Sequence, residues 1–242
     1  MNVLGVILAR AGSAGLKNKH LLPLLGKPVI GYTFEHARAA GLLGKTVVSS
    51  DSPDVLRLAT AAGFETIARP AELATAEASV QDAMLHAMEQ VEARASFRAD
   101  ALVVLYGNVP VRPQGAINRA IQMLRETGCD SVRSFCPVGK WHPAWMAQLA
   151  GDRVLPLQSG SIHRRQDLTP LFLHDGAVVA VSRDAMLRGK AHPDDPHAFF
   201  GSDRRGFPTD AGETVEIDAL RDLYWAEAVL RSRHPDGMRI AS

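Results

Sequence analysis

Short β-branched runs alternate with Ala-rich stretches whose apolar residues recur at helical spacing, and this alternation runs through most of the chain. Such an order predicts an α/β fold, a mostly parallel sheet with helices on both faces. Val3 to Ala9 reads as the first strand, and Pro28 to Ala40 as a helix with Pro near its first turn and Gly41 as its stop. Thr46 to Ser50 follows as a strand, Pro53 to Ala62 as a helix closed by Gly63, and Phe64 to Ile67 as a short strand before the Arg69-Pro70 turn. Ala78 to Ala93 is helical by its spacing, Ala101 to Leu105 is a buried strand, Gln114 to Thr127 a helix and Ser131 to Phe135 a strand. Ala177 to Val181 resumes the sheet. His192 to Pro208 has the Pro, Asp and Gly content of a long loop, and Val215 to Ile217 with Ala219 to Arg231 close the fold as strand and helix.

From Pro137 to about Asp175 the alternation breaks, and Trp141, Pro143, Trp145 and Pro156 sit among polar residues. Large apolar side chains in irregular structure need a partner surface. Residues 137–175 are therefore expected to form an inserted arm that makes a homodimer, with 1–136 plus 176–242 as one α/β domain.

Composition sharpens this picture. A chain of 242 residues, 46% hydrophobic, is large enough to bury a substantial core. Its formal net charge of +1 argues against a general nucleic-acid or membrane-surface binder, so any basic site is local. Cys129 and Cys136 form neither a CxxC pair nor a disulfide framework, and Met1 to Ala9 lacks the basic lead-in and length of a signal segment or membrane span. A cytoplasmic location is the expectation.

The candidate chemistry starts where the first strand ends. Leu8, Ala9, Arg10, Ala11, Gly12 and Ser13 lead through Ala14 and Gly15 to Lys17 and Lys19, a small-residue loop carrying three cations. Small residues let backbone N–H groups approach an anion closely, and the cations compensate phosphate charge, so a nucleoside triphosphate is the natural ligand. The Ala11 to Gly15 stretch lacks the first Gly of a GxSxG nucleophile elbow, no GxxxxGK[ST] occurs, and the loop is not a dinucleotide fingerprint. His192, Asp194, Asp195 and His197 read as a solvated loop before a metal cluster, and His86 as structural.

The order of motifs resembles the N-acylneuraminate cytidylyltransferase family. It is carried by Leu8-Ala9-Arg10 through Ser13 to Lys19, Gly26-Lys27-Pro28, Val48 to Ser52, Arg69 to Ala74, Pro110-Val111-Arg112, His142-Pro143, Asp175 to Val178 and Val215 to Asp218. The resemblance implies a Rossmann-like nucleotidyltransferase fold and transfer of CMP from CTP to a 3-deoxy-2-keto sugar acid, sialic acid-like or Kdo-like, with release of pyrophosphate. Such a transfer needs positioned cations and Mg²⁺ more than a covalent nucleophile. Arg10, Ser13 and Lys19 fall on the family's triphosphate-loop positions, with Lys17 as a further candidate and Lys19 foremost for the transition state. Glu216 and Asp218 stand one residue apart on an expected strand, so both carboxylates face one side and suit a hard cation. The family typically has two aspartates there, which makes Asp218 the firmer ligand. Arg69, Ala78 and Ser79 match the segment that holds the cytosine base. Arg164, Arg165 and Gln166 match a segment that faces the sugar, and equally suit a solvated part of the arm.

Three departures concern the acceptor. Tyr106 stands where the family has a Gln, within Tyr106-Gly107-Asn108-Val109-Pro110; His20 stands for an Asn after the loop lysine; and Asp175 stands for the Asn of an Asn-Gly-Ala segment. Tyr106, Asn108 and Asp175 join Arg165 and Gln166 as candidate substrate-binding residues. The same Tyr106 to Pro110 segment is similar to a loop of sugar-1-phosphate nucleotidyltransferases, which would use UTP or GTP, but the metal-binding Asp of that loop is Asn108 here. A small-acid acceptor and a nucleotide-binding homologue without turnover remain open alternatives.

Overall fold

A computed structural model of the chain describes residues 1–12, 15–75, 77–94, 96–160 and 162–233. Strand β1 (Val3–Leu8) is followed by a two-stranded ribbon of β2 (Pro23–Leu24) and β3 (Lys27–Pro28), which leads into α1 (Val29–Ala39). Next come β4 (Lys45–Ser50), α2 (Pro53–Ala61), β5 (Glu65–Ala68), α3 (Val80–Arg94), β6 (Ala101–Tyr106), α4 (Ala116–Thr127) and β7 (Ser131–Pro137). The arm carries a hairpin of β8 (Ala147–Ala150) and β9 (Arg153–Pro156), after which β10 (Phe172–Ser182), α5 (Arg183–Gly189), β11 (Arg204–Pro208) and α6 (Leu220–Arg233) complete the chain.

The seven-stranded sheet has the order β11-β7-β10-β6-β1-β4-β5. β1 pairs parallel with β4 and with β6, β4 with β5, and β11 with β7, whereas β10 is antiparallel to both neighbours. β1 is buried on both faces, as a central strand of a covered sheet must be. Its Val3 and Ile7 pack with Ile30 and Phe34 of α1 and Ile117 and Ile121 of α4, while Leu4, Val6 and Leu8 face Met84 and Met88 of α3 and Met186 of α5. The helix starts follow local chemistry. Ser52 and Ser182 accept hydrogen bonds from Val55 N and Ala185 N at the heads of α2 and α5, and Gly128 ends α4 in the left-handed region (φ 64°).

The expected element map lacks the β2–β3 ribbon and the β8–β9 hairpin, and the structure departs from it in four further places. β10 begins at Phe172 rather than Ala177, because Phe172, Leu173 and His174 pair with Pro137, Cys136 and Phe135 before a register shift between His174 and Val179. The arm that leaves the sheet is accordingly 138–171. The segment read as a loop from His192 closes with an edge strand, β11, in which only Phe207 is buried, so no apolar alternation announces it. α5 was not anticipated either. Val215 to Ile217 is not a ladder-forming strand: it makes a single antiparallel bridge between Val111 and Val215. Burial still alternates along it, with Val215 and Ile217 inside and Glu216 and Asp218 outside, so the two carboxylates do share one side.

Candidate active site

β1, β4, β5 and β6 deliver their carboxyl ends to one edge of the sheet, and the winding reverses at β1, with α1 leading to β4 on one side and α3 to β6 on the other. Open α/β sheets bind ligands in the crevice at this point. Here a cleft of about 600 Å³ opens. One wall carries Arg10, Lys19 and His20, and the opposite wall is made of Leu73, Ala78, Ser79, Val80 and Ala83. Leu8, Arg69, Tyr106, Asn108 and Glu216 complete the lining.

The cationic wall is built from the end of β1. Ser50 donates from its hydroxyl to the Ala9 carbonyl, and Asp51 accepts from the Ala11 N–H at 2.8 Å, which turns the loop away from the strand axis. Arg10 donates to the Thr75 carbonyl at 3.2 Å across the cleft. Asn18, in the left-handed region at φ 53°, turns the chain so that Lys19 meets the Asp218 carboxylate at 2.6 Å. Gly15 passes so near the Asp218 carbonyl that a Cβ there would collide with it. Ser13, assigned to the triphosphate loop, lies outside the described residues; Ala9, Ala11 and Gly12 form the loop beside the cleft rather than its lining.

Arg69 is buried, donating from Nε to Ser49 Oγ at 3.2 Å and from Nη2 to the Ser49 carbonyl at 2.9 Å. The Ser79 hydroxyl accepts from Asp82 N at 3.0 Å and donates to the Asp82 carboxylate, a cap at the head of α3. Small side chains at Ala78, Ser79 and Ala83 therefore leave a slot beside Arg69.

On the floor, Asn108 donates from Nδ2 to Glu216 Oε1 at 3.1 Å and to the Ile217 carbonyl at 3.0 Å. Glu216 is exposed over much of its surface, but desolvation of its carboxyl on the cleft floor raises it above its ordinary range and the nearby Asp218 charge adds to this, while the Asn108 amide and Lys19 oppose it. Two oxygen-only side chains whose charges repel are what a hard divalent cation relieves, with phosphate oxygens and water as its remaining ligands. Glu216 and Asp218 thus fit such an ion. Among the described residues no three His, Cys, Asp or Glu side chains converge on a metal-sized site, the His192 to His197 loop included. Burial pushes the Tyr106 hydroxyl up to about 12, so it stays protonated. His20 is held neutral, its pKa brought down to about 4 by burial first and then by Lys19.

Two expected groups stand elsewhere. Arg165 and Gln166 line a separate hollow of about 640 Å³ in the arm, with Gly139 and His142, and Arg164 pairs with Asp167 at 3.7 Å. Asp175 is turned away from the cleft. Its carboxylate accepts from the Ser134, Thr209 and Thr214 hydroxyls and from Ala177 N. Every partner is a donor, which accounts for a carboxylate where an amide is usual. Arg112 and Asp51 were not singled out for any role from the sequence, although a lone Arg closing the apolar Val109-Pro110-Val111 run signals a buried, bonded cation.

A mostly parallel sheet with a cation-lined, carboxylate-floored cleft at its winding reversal defines an α/β protein whose cleft suits a polyanion. The chain belongs to the cytidylyltransferase family, whose family model, described as "Cytidylyltransferase", matches residues 4–153. It is 31% identical, over 92% of its length and 52% of the relative's, to N-acylneuraminate cytidylyltransferase of Streptococcus agalactiae serotype III (strain NEM316). It is also 23% identical to the post-translational flagellin modification protein B of Campylobacter coli, over 96% of both chains. The chain spans about half the length of the curated Streptococcus relatives that it matches. Its fold is shared with a solved CMP:2-keto-3-deoxy-manno-octonic acid synthetase complexed with CTP, at a TM-score of 0.73 and 21% identity, covering 97% of this chain and 100% of that one.

Proposed function

We propose that this protein transfers CMP from CTP to a 3-deoxy-2-keto sugar acid and releases pyrophosphate. The observation that carries the reading is the convergence of Arg10, Lys19, Arg69, Asn108 and Glu216 on one cleft beside a slot walled by Ala78 and Ser79. The acceptor hydroxyl attacks the α-phosphorus; an O–P bond forms there as the bond to the β-phosphate breaks, the hydroxyl proton passes to solvent and pyrophosphate carries the charge away. Arg10 and Lys19 compensate charge on the phosphoryl oxygens and leaving group, and the slot beside Arg69 takes the base through backbone groups. Glu216 and Asp218 would hold Mg²⁺, which when bound supplies positive charge to the phosphate oxygens. The Asn108 amide is engaged with Glu216 and Ile217, which suits a brace for the carboxylates.

The arm supports a homodimer. Leu149 is 74% exposed, Trp141 68% and Val154 63%, an apolar surface that a second copy would cover. In that assembly the hollow of Arg165 and Gln166 is a candidate contact for the acid group of the sugar. With a nucleoside triphosphate as donor, the reaction belongs in the cytoplasm; among the described residues no helix is long and apolar enough to cross a membrane.

The test is pyrophosphate release with CTP, UTP, GTP or ATP, each with Mg²⁺, against a panel of 3-deoxy-2-keto sugar acids and sugar-1-phosphates. Release with CTP and a keto-sugar acid is expected. Release only with UTP or GTP and a sugar-1-phosphate refutes the proposal.

A further inference from the structure

Arg112 lies behind the turn that carries Tyr106 and Asn108, outside the lining of the cleft, and is 2% exposed. Its guanidinium reaches several parts of the chain at once. Nε donates to the Ala177 carbonyl at 2.8 Å, Nη2 to the Tyr106 carbonyl at 2.7 Å, and Nη1 to the Val109 carbonyl at 2.6 Å and to Thr33 Oγ1 at 2.9 Å. His36 Nδ1 stands 3.2 Å from the same Nη1. All of these partners are neutral, His36 included, since burial and Arg112 itself bring its pKa down to about 3. Burial brings the pKa of the Arg112 guanidinium down to about 9, and the Glu216 and Asp175 charges offset only part of that cost, so its place is explained by geometry that no apolar side chain supplies.

That geometry brackets one residue. The Tyr106 and Val109 carbonyls flank Asn108, and Thr33 Oγ1 stands 3.2 and 3.3 Å from the same two oxygens. Asn108 then grips the carboxylate segment from both sides: its carbonyl accepts from Ile217 N at 2.8 Å, and its amide donates to the Ile217 carbonyl and to Glu216. We propose that Arg112 is a positioning residue of the transfer reaction, which clamps the Tyr106 to Val109 turn from behind and through Asn108 fixes the segment bearing Glu216 and Asp218. This inference rests on the transferase reading of the cleft. Lysine cannot replace the planar fork, because one ammonium cannot reach the Ala177, Tyr106 and Val109 carbonyls in their separate directions.

The experiment compares wild type, Arg112→Lys, the gentler Thr33→Val, Asn108→Ala and the Arg112→Lys/Asn108→Ala double variant. Circular dichroism and thermal melting establish the folded fraction of each. For Arg112→Lys, kcat per folded molecule falls about 10- to 100-fold while the KM for CTP stays within about twofold, as expected of a misplaced group outside the binding wall. Thr33→Val moves kcat the same way by about threefold. The double variant is within about twofold of Asn108→Ala alone, since both changes act through one residue. Hydrogen exchange at the Ile217 amide, read without substrate, speeds up in Arg112→Lys. A lower melting temperature with unchanged kcat, losses that multiply in the double variant, or unaltered Ile217 exchange overturns the inference. A wild type that releases no pyrophosphate across the panel defeats the transferase reading and this inference with it, whereas an active wild type with an equally active Arg112→Lys defeats this inference alone.

Discussion

Histidines held neutral by their surroundings make the fold sensitive to mild acid, and burial lowers His174 in the same direction as the two strongest cases, His20 and His36. His20 is brought from 6.5 down to about 4, by burial and then Lys19, and His36 from 6.5 down to about 3, by burial and then Arg112. For a group that is charged when protonated, a depressed folded value means that the unfolded chain takes the proton first. The stability is therefore complete above the unfolded value of 6.5 and is lost as pH falls toward about 4 for His20 and about 3 for His36. Between about pH 8 and about pH 5 each of these two histidines removes about 2 kcal/mol, or about 4 kcal/mol together, a large share of the 5 to 15 kcal/mol of an ordinary domain. Glu216 works in the opposite sense, because its raised carboxyl binds a proton more readily folded than unfolded. Glu92, held below its ordinary range by the Arg183 hydrogen bond, acts below that interval. A paired comparison isolates the histidine share: urea midpoints of wild type and His36→Gln, at both pH values and fixed ionic strength. The wild type is expected to lose about 2 kcal/mol more than the variant between the two conditions. Equal losses in the two proteins would refute the reasoning.

Removing Lys19 or Asp218 tests the cationic wall and the carboxylates directly: Lys19→Met and Asp218→Ala should each lower kcat by about 10²- to 10³-fold with far-ultraviolet dichroism unchanged, and undiminished turnover would sink the assignment. Asp175→Ala strips acceptors from three hydroxyls and an N–H and should cost about 3 to 5 kcal/mol by urea denaturation, whereas Asp175→Asn should cost about 1 to 2 kcal/mol because threonine hydroxyls can rotate to accept. Identical costs for the two variants would show that acceptor count is not what matters. Leu149→Asp with Val154→Asp in the arm hairpin should convert a dimer to monomers in light scattering at micromolar concentration, and a wild type already monomeric at that concentration would remove the dimer proposal.

The central strands and their helices were legible because they obey simple periodicities and carry local stops. α2 begins at Pro53 and α4 ends at Thr127, as expected, with Ser52 capping the one and Gly128 following the other. The edge strand β5 was legible too, but β11 at the other edge was not: it is Arg204-Arg205-Gly206-Phe207-Pro208, whose pairing is supplied by β7 rather than by its own side chains. At the cleft, Arg10, Lys19 and Glu216 were readable from residue type and spacing, whereas Asn108 entered through a resemblance, as a substrate-binding candidate, and is found bonded to Glu216 and Ile217. The Arg112 clamp was not readable, because its partners are backbone carbonyls and these have no sequence. Asp175 showed a similar limit. A carboxylate in the chain carries no sign of whether it faces a ligand or, as here, a ring of hydroxyls, until Ser134, Thr209 and Thr214 are brought together by folding.

Lys19 and Asp218 are 199 residues apart, yet they touch. As the chain is made, the cation-bearing loop emerges before β4, β5 and β6, and its carboxylate neighbour emerges after them, when those strands and β1 can already have paired. The carboxylate floor of the cleft is therefore added to a sheet whose central strands are already made. Fragments released before residue 215 would carry most of the sheet and the loop but neither Glu216 nor Asp218, so they would keep an attraction for polyanions while lacking the chemistry.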